Sequence, residues 1–334
     1  MGVAPAGAPA HRLPAGDDGR VPVSVRVLRT RRGRVVNTEE NRPPDTGANH
    51  PDGSGVAETA RTFDAASTDF EILTPTLWGP AGQALVFQLG VGAGDTVLDA
   101  CCGAGASAVP AAMAVGPTGR VHGVDLSDDL LERGRLVAET RALTNIDFVC
   151  ADVTLWEAPS DVPEAGYDAL AISYGVFFLP DMDAAFSRLV GLVRPGGRVG
   201  VTVWRADAMS DLRDAVFEVA ARHSPEFAER APQYDRSPLR RIDTSTALET
   251  WLAAAGTHSV EVRTLSNLIP ATEDLCWALV AGTGWRMALS GLDAGQVDSV
   301  KQDLAETITA RGIHTVDATT LFGTATVRRP PPPM

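Results

Sequence analysis

The sequence predicts an α/β chain built on a doubly wound, mostly parallel sheet of seven strands. Three observations carry that prediction. From about residue 60 onward, short β-rich runs alternate with helical stretches, the pattern of successive βαβ units. The first run ends in a glycine-rich turn, and acidic residues stand at the ends of the first three. At 334 residues the chain is long enough for one large domain or two small ones without metal or disulfide staples.

TVLDA at 96–100 is the first strand. ASAVPAAMAV at 106–115 follows as a helix, with Pro110 near its first turn, where proline is tolerated. RVHGVDLS at 120–127 is the second strand. Ser127 is placed to cap the next helix, whose Asp128 and Asp129 suit the positive end of its dipole. IDFVCAD at 146–152 and YDALAISYG at 167–175 are the third and fourth strands. DMDAAFSRLVGLV at 181–193 is a helix stopped by Pro195-Gly196-Gly197, and RVGVTVW at 198–204 is the fifth strand. TSTALETWLAAAG at 244–256 is helical, and SVEVRTL at 259–265 and TTLFGTATVRR at 319–329 complete the sheet. Inserts at about 208–231 and 266–318 break the alternation with helical patterns. They are expected to cover the carboxyl edge of the sheet, where such folds bind ligands.

Residues 1–58 read differently. They are rich in Gly, Pro and Ala and carry VRVLRTRRGR at 25–34. Such composition predicts a disordered extension. It reads either as a basic arm for an acidic partner or as a dispensable extension. The domain proper is expected at 59–329, with a non-packing tail at 330–334.

Charge and residue usage exclude several functions. The net charge is −13, which repels a phosphate backbone, so no nucleic-acid partner is expected. No apolar run is long enough to span a membrane, and no signal peptide is evident. Lys301 is the only lysine, so no Gly-Lys-Ser/Thr phosphate loop exists. Cys101, Cys102, Cys150 and Cys276 form no C-x-x-C pair, so no metal site is expected. Reduced thiols and the missing leader together predict a cytoplasmic protein.

The chemistry concentrates in Asp99-Ala100-Cys101-Cys102-Gly103-Ala104-Gly105 at the end of strand one. Glycine there lets a ligand approach the backbone. Asp125 closes strand two, where a carboxylate accepts two hydrogen bonds from a ribose diol. Asp152 closes strand three, within reach of an adenine. The turn also fits the G-x-G-x-x-A dinucleotide fingerprint. Asp99 sets a negative charge just before it, however, which suits an ammonium or sulfonium better than a pyrophosphate. The Tyr-x-x-x-Lys dyad of short-chain dehydrogenases is absent, because Val297 stands four before Lys301.

VLDACCGAGASA, VHGVDLS, CADV and YDALAISYGVFFLPDMDAAFSRLVGLVRPGGRVGVTVW together resemble class I S-adenosylmethionine-dependent methyltransferases, whose fold is Rossmann-like. The nearest flavour is the ubiquinone/menaquinone C-methyltransferase-like small-molecule group. The resemblance covers about residues 60–205 well and 240–330 loosely. It implies S-adenosylmethionine as cofactor and S-adenosylhomocysteine as product, with no metal. It implies that Asp99, Cys101, Gly103 and Gly105 surround the methionine moiety. Asp125 would hold the ribose, with Leu126 beside the adenine. Asp152 and Val153 would bind the adenine, and Ser173 and Tyr174 would face the methyl-transfer site. Cys101 replaces the glycine usual in the family. TFDAASTDFE at 62–71 resembles the family's entry segment, with Phe70 where tyrosine is common.

The expected activity is methyl transfer to O, N or C of a small acceptor, in bacterial secondary or quinone-type metabolism. Phe70, Trp78, Phe177, Phe178, Trp204 and Trp285 are the candidate acceptor-pocket residues. Ordinary core packing is the competing reading for these aromatics. No catalytic base is assigned, since no histidine has a partner at a recognisable spacing. A second copy of the chain stays open as a partner. Nucleic-acid or protein methylation, or non-methyl chemistry on a bound cofactor, are the alternative readings. Against nucleic acid, Ser173-Tyr174-Gly175-Val176 stands where an Asn/Asp-Pro-Pro-aromatic motif would be needed.

Overall fold

The computed structural model describes residues 54–232 and 237–328. The extension at 1–53 and the tail at 330–334 therefore lie outside the described residues. One boundary moves: 54–58, assigned above to the extension, open the helix α1 at Ser54–Leu73.

Seven strands form the sheet: β1 (Thr96–Ala100), β2 (Arg120–Asp125), β3 (Ile146–Cys150), β4 (Tyr167–Ser173), β5 (Val193–Trp204), β6 (Thr257–Leu265) and β9 (Thr320–Val327). Their spatial order is β3-β2-β1-β4-β5-β9-β6. The first five run parallel, and β9 inserts antiparallel between β5 and β6. The order reverses between β1 and β4, which fixes the ligand crevice at their carboxyl ends.

The connecting helices follow the sequence pattern. α2 (Gly79–Leu89) packs on β4 and β5, α3 (Ala108–Val115) on β2, and α4 (Asp128–Thr140) on β3. Ser127 caps α4 as expected, its Oγ accepting from Leu130 N at 3.2 Å. Asp181 caps α5 (Met182–Val190) in the same way through Ala184 N. Pro195-Gly196-Gly197 does not separate helix from strand as expected. It lies inside β5, where the pairing with β4 slips from Tyr167↔Val193 to Ala169↔Arg198. A bulge absorbs the extra residues at the strand's entry, away from the crevice.

Both inserts are helical. The first holds α6 (Ser210–His223) and α7 (Pro225–Arg230), followed by α8 (Ser245–Ala254) back on the sheet. The second holds β7 (Leu268–Pro270), α9 (Glu273–Ala281), α10 (Ala294–Ala310) and β8 (Thr315–Asp317). β7 and β8 pair antiparallel, Leu268 opposite Asp317, and this ribbon closes the neck of the excursion. The composition gives no hint of such a ribbon, because each strand is only three residues long.

His122 is structural. It is 2% exposed on β2, and its Nδ1 lies 3.1 Å from Tyr167 Oη. Trp156 Nε1 donates to that same oxygen, which holds the phenol between indole and imidazole. The other imidazole nitrogen, Nε2, faces Asp161 at 3.4 Å. Asp147 stands nearby, but Arg120 already pairs with both carboxylates, so the cluster is wired as an ion-pair network.

Candidate functional site

The turn after β1 is built from left-handed residues. Cys101, Gly103 and Gly105 have φ of 57°, 51° and 83°. Glycine adopts this conformation freely, whereas at Cys101 it costs about 1–2 kcal/mol. That strain sits at the crevice, where Cys101 occupies the position usual for glycine.

The three strand-end acids differ in their surroundings. Asp99 is wholly buried beneath the turn. Its Oδ2 accepts from Ser107 Oγ at 2.7 Å, while Oδ1 has no hydrogen-bond partner. Burial, reinforced by the charge of Asp125, pushes its pKa up to about 7 despite the Ser107 bond. Asp125 is half-buried and accepts from Gly103 N at 2.8 Å and Ser127 N at 2.9 Å. A carboxylate takes about four such bonds, so acceptor capacity is left for a ligand. Asp152 lines the crevice, and its Oδ1 accepts from both Thr154 N and Thr154 Oγ1.

A cavity of about 660 Å³ opens above this edge. All the site residues named from the sequence line it except two. Asp99 lies under the turn, and Gly105 lies on its back, where Phe148 and Val109 would meet any Cβ at 3.0–3.2 Å. Ser173 Oγ sits 3.1 Å from Thr202 Oγ1 at the end of β4. Tyr174 follows with φ of 54°, and its hydroxyl lies 2.6 Å from Thr320 Oγ1.

The aromatic candidates line the cavity in two stacked groups, with Trp285 apart from both. Tyr174 stacks on Trp204 at 4.2 Å between centroids, Trp78 meets Tyr174 edge-on at 5.3 Å, and Phe70 stacks on Trp78 at 4.9 Å. Phe177 and Phe178 are tilted together at 4.9 Å, and Phe63 meets Phe178 edge-on. Trp285 reaches the cavity from the second insert. Trp277 does not; it is half-buried in α9, with Lys301 Nζ 5.6 Å above its ring. Trp78 Nε1 is buried without a partner, a donor facing a shortage of acceptors.

Gly282 and Gly284 flank Thr283 just before Trp285, and by sequence alone they read as backbone freedom to reposition that indole, a reading the structure corrects. Instead, a Cβ on Gly282 would come within 2.7 Å of Asp69 C and Phe70 N. That glycine exists because α1 crosses α9 backbone to backbone, and Gly284 faces Phe178 at 3.3 Å. The backbone at Trp285 is set in place, its main-chain N–H donating to Thr283 Oγ1 at 3.1 Å.

Sequence reasoning found Phe70 but missed the rest of the α1 wall and the cationic end. Val56, Ala60, Phe63 and Phe70 all line the cavity, and their spacing of three, four and seven is a helical signal. Asp64 on α1 accepts from Ser127 Oγ at 2.6 Å, tying the helix to the loop beside Asp125. Arg205, Arg213, Arg230 and Arg240 also line the cavity, brought there from four separate segments.

A doubly wound sheet with a glycine turn and three strand-end acids over a roofed crevice defines an S-adenosylmethionine-dependent methyltransferase. Residues 82–271 match the model of the ubiE/COQ5 methyltransferase family, and the chain belongs to that family. Its activity is transfer of a methyl group from S-adenosylmethionine to a small-molecule acceptor. Aklanonic acid methyltransferase DauC of Streptomyces sp. (strain C5) is 34% identical over 184 residues, covering 54% of this chain and 77% of that protein. Demethylmenaquinone methyltransferase of Staphylococcus aureus (strain Newman) is 34% identical over 112 residues, 34% of this chain and 44% of that one. Among solved structures, the (4+2)-cyclase SpnF shares the fold at 14% identity with a TM-score of 0.50, covering 82% of this chain and 97% of that one. Among the described residues no helix is long and apolar enough to cross a membrane.

Proposed function

We propose that the acceptor is an extended aromatic molecule, laid against the Trp78–Tyr174–Trp204 wall with its reacting atom toward the β1 turn. The packed rings of Trp78, Tyr174 and Trp204 on the cavity lining carry this reading. Flat rings stack on such a face with apolar burial and favourable quadrupole geometry. Names of the relatives agree in kind: one acts on aklanonic acid, the other on demethylmenaquinone.

The residues present fit the cofactor. The unpartnered Asp99 Oδ1 under the glycine turn supplies what an ammonium group lacks. The remaining lone pairs of Asp125 suit a ribose diol, and Asp152 Oδ2 suits an adenine amine. When bound, S-adenosylmethionine supplies an activated methyl group on sulfonium, so the protein's contribution is alignment and exclusion of water. No histidine or lysine is among the described lining residues. The Tyr174 phenol and the Cys101 and Cys102 thiols are pushed up by burial, so none serves as a base near neutrality. The walls orient the acceptor; α1 and the 284–289 turn close over it.

Three measurements test this. Asp125→Ala should weaken S-adenosylmethionine binding by at least about tenfold, the loss of hydrogen bonds to a charged group. Equal affinities in calorimetry would remove Asp125 from the ribose. Trp285→Ala should raise the acceptor's apparent KM about tenfold with cofactor affinity unchanged; a lowered melting temperature with normal turnover would reduce Trp285 to packing. Labelled methyl transfer to hydroxylated naphthoquinone and anthraquinone acceptors should be detectable. Transfer to aliphatic acceptors alone would overturn the aromatic reading.

The four cysteines are free, which supports a reducing, cytoplasmic setting.

A further inference from the structure

The cavity is electrically polarised. Among its described lining residues the only carboxylates are Asp125 and Asp152, both at the ends of strands on the cofactor side. Four guanidinium groups line the other side. Arg205 follows β5, Arg213 lies on α6, Arg230 ends α7, and Arg240 lies on the 3-10 turn at Pro238–Arg241. None of them has a counterpart in the chemistry already assigned.

Each arginine has an acidic neighbour, but those acids stand outside the cavity lining. Arg205 pairs with Asp317, Arg213 with Asp214, Arg230 with Glu226 and Arg240 with Asp243. A guanidinium carries five N–H donors. Arg213 spends Nε and Nη2 on a single oxygen of Asp214, and Arg240 spends only Nη1 on Asp243. These two are also the least exposed of the four, at 25% and 33%. Desolvation by an apolar cavity strengthens whatever acceptor meets their remaining donors. Half-exposed pairs such as Arg205–Asp317 are worth little, so turning their guanidinium toward a ligand costs little.

An aromatic wall with surplus arginine donors at one end matches one chemical class. We propose that the acceptor is an aromatic carboxylic acid, bound as its carboxylate, with Arg213 and Arg240 as the residues that read the charge. The proposal rests on the aromatic-acceptor reading above and adds the charge to it. A neutral ring system of the same size would stack equally well yet leave those donors unanswered. Bidentate geometry makes arginine the suitable reader, since two parallel N–H groups meet two carboxylate oxygens. The spatial separation matters as well: Asp125 and Asp152 would repel an anion from the cofactor end, so the charge also sets which way round the acceptor enters.

The test uses the full chain saturated with S-adenosylhomocysteine. The probes are anthraquinone-2-carboxylate and its carboxamide, which share ring and size and differ in charge. Binding is read by calorimetry at low and at moderate salt. The carboxylate should bind at least about tenfold more tightly than the amide, with the gap narrowing as salt rises. In Arg213→Gln/Arg240→Gln the gap should fall below about threefold, with amide and S-adenosylhomocysteine affinities unchanged. Arg213→Lys/Arg240→Lys should retain part of the preference, since the charge persists without the fork. Equal binding of both probes to the unaltered protein would overturn the charge reading while sparing the aromatic one. So would a preference that survives the double glutamine variant. If neither ring binds although S-adenosylhomocysteine does, the aromatic reading itself falls, and this proposal with it.

Discussion

Asp99→Asn is expected to stabilise the ligand-free protein above neutral pH and to weaken its grip on S-adenosylmethionine by more than about tenfold. Both effects come from one buried carboxylate with an unpartnered oxygen. Its pKa is raised from 3.8 to about 7, so the folded state holds this proton more tightly than the unfolded chain. Between about pH 4 and 7 the unfolded chain ionises Asp99 while the folded protein does not. Stability therefore falls as pH rises through that window, by up to about 4 kcal/mol. Asparagine keeps the bond to Ser107 and carries no charge, so the melting temperature at pH 8 should rise. The cationic cofactor reverses the preference, because an ammonium or sulfonium nearby favours the carboxylate. Binding should then release protons near pH 6–7, and affinity should climb across that range in the unaltered protein but stay flat in the variant. Calorimetry in two buffers of different ionisation enthalpy measures the release. A cofactor affinity that does not change with pH would separate Asp99 from the cofactor.

Gly175→Ala is expected to cost about 3 kcal/mol, the upper range for overpacking a tight site. A Cβ there would sit 2.3 Å from Cys101 Cβ and 3.0 Å from its sulfur. The two turns after β1 and β4 interlock, with the Cys101 side chain filling the space that Gly175 leaves. Cys101 is itself held at φ 57°, so neither residue has room to give. Adding Cys101→Gly to Gly175→Ala removes the clash and the left-handed strain together. The double variant should recover to within about 1 kcal/mol of the original protein, a coupling well above the additive limit for separate sites. Denaturant unfolding of the four proteins of the cycle measures it. Additive losses would mean that the turns move independently and that Cys101 is only a tolerated replacement.

Residue 175 also shows what a sequence leaves open. Strands, caps and the cofactor turn are local matters, written in alternation, in Ser127 and Asp181, and in glycines that need positive φ. Their physical causes act over a few residues, so TVLDA, VHGVD and YDALAIS declare themselves without a partner. The order of acids at three strand ends follows from the same period, because parallel strands bring their carboxyl ends to one edge. The placing of Asp125 and Asp152 at one crevice, with Asp99 beneath its turn, was legible for that reason.

The acceptor side was decided by packing alone. Nothing near Arg213, Arg230 or Arg240 marks them as neighbours, since α6, α7 and the turn at 238–241 meet only after the first insert folds over the sheet. Gly282 looked like a hinge because its local sequence gives freedom; the crossing of α1, more than 200 residues earlier, turns that freedom into a close contact. The ribbon of β7 and β8 pairs segments separated by the whole second insert, with three residues on each side. Propensity and period fix what each segment becomes. Which segments face one another depends on burying the apolar faces of α1, α6, α9 and α10 together, and that non-local balance makes the roof, the aromatic wall and the arginine end of the cavity.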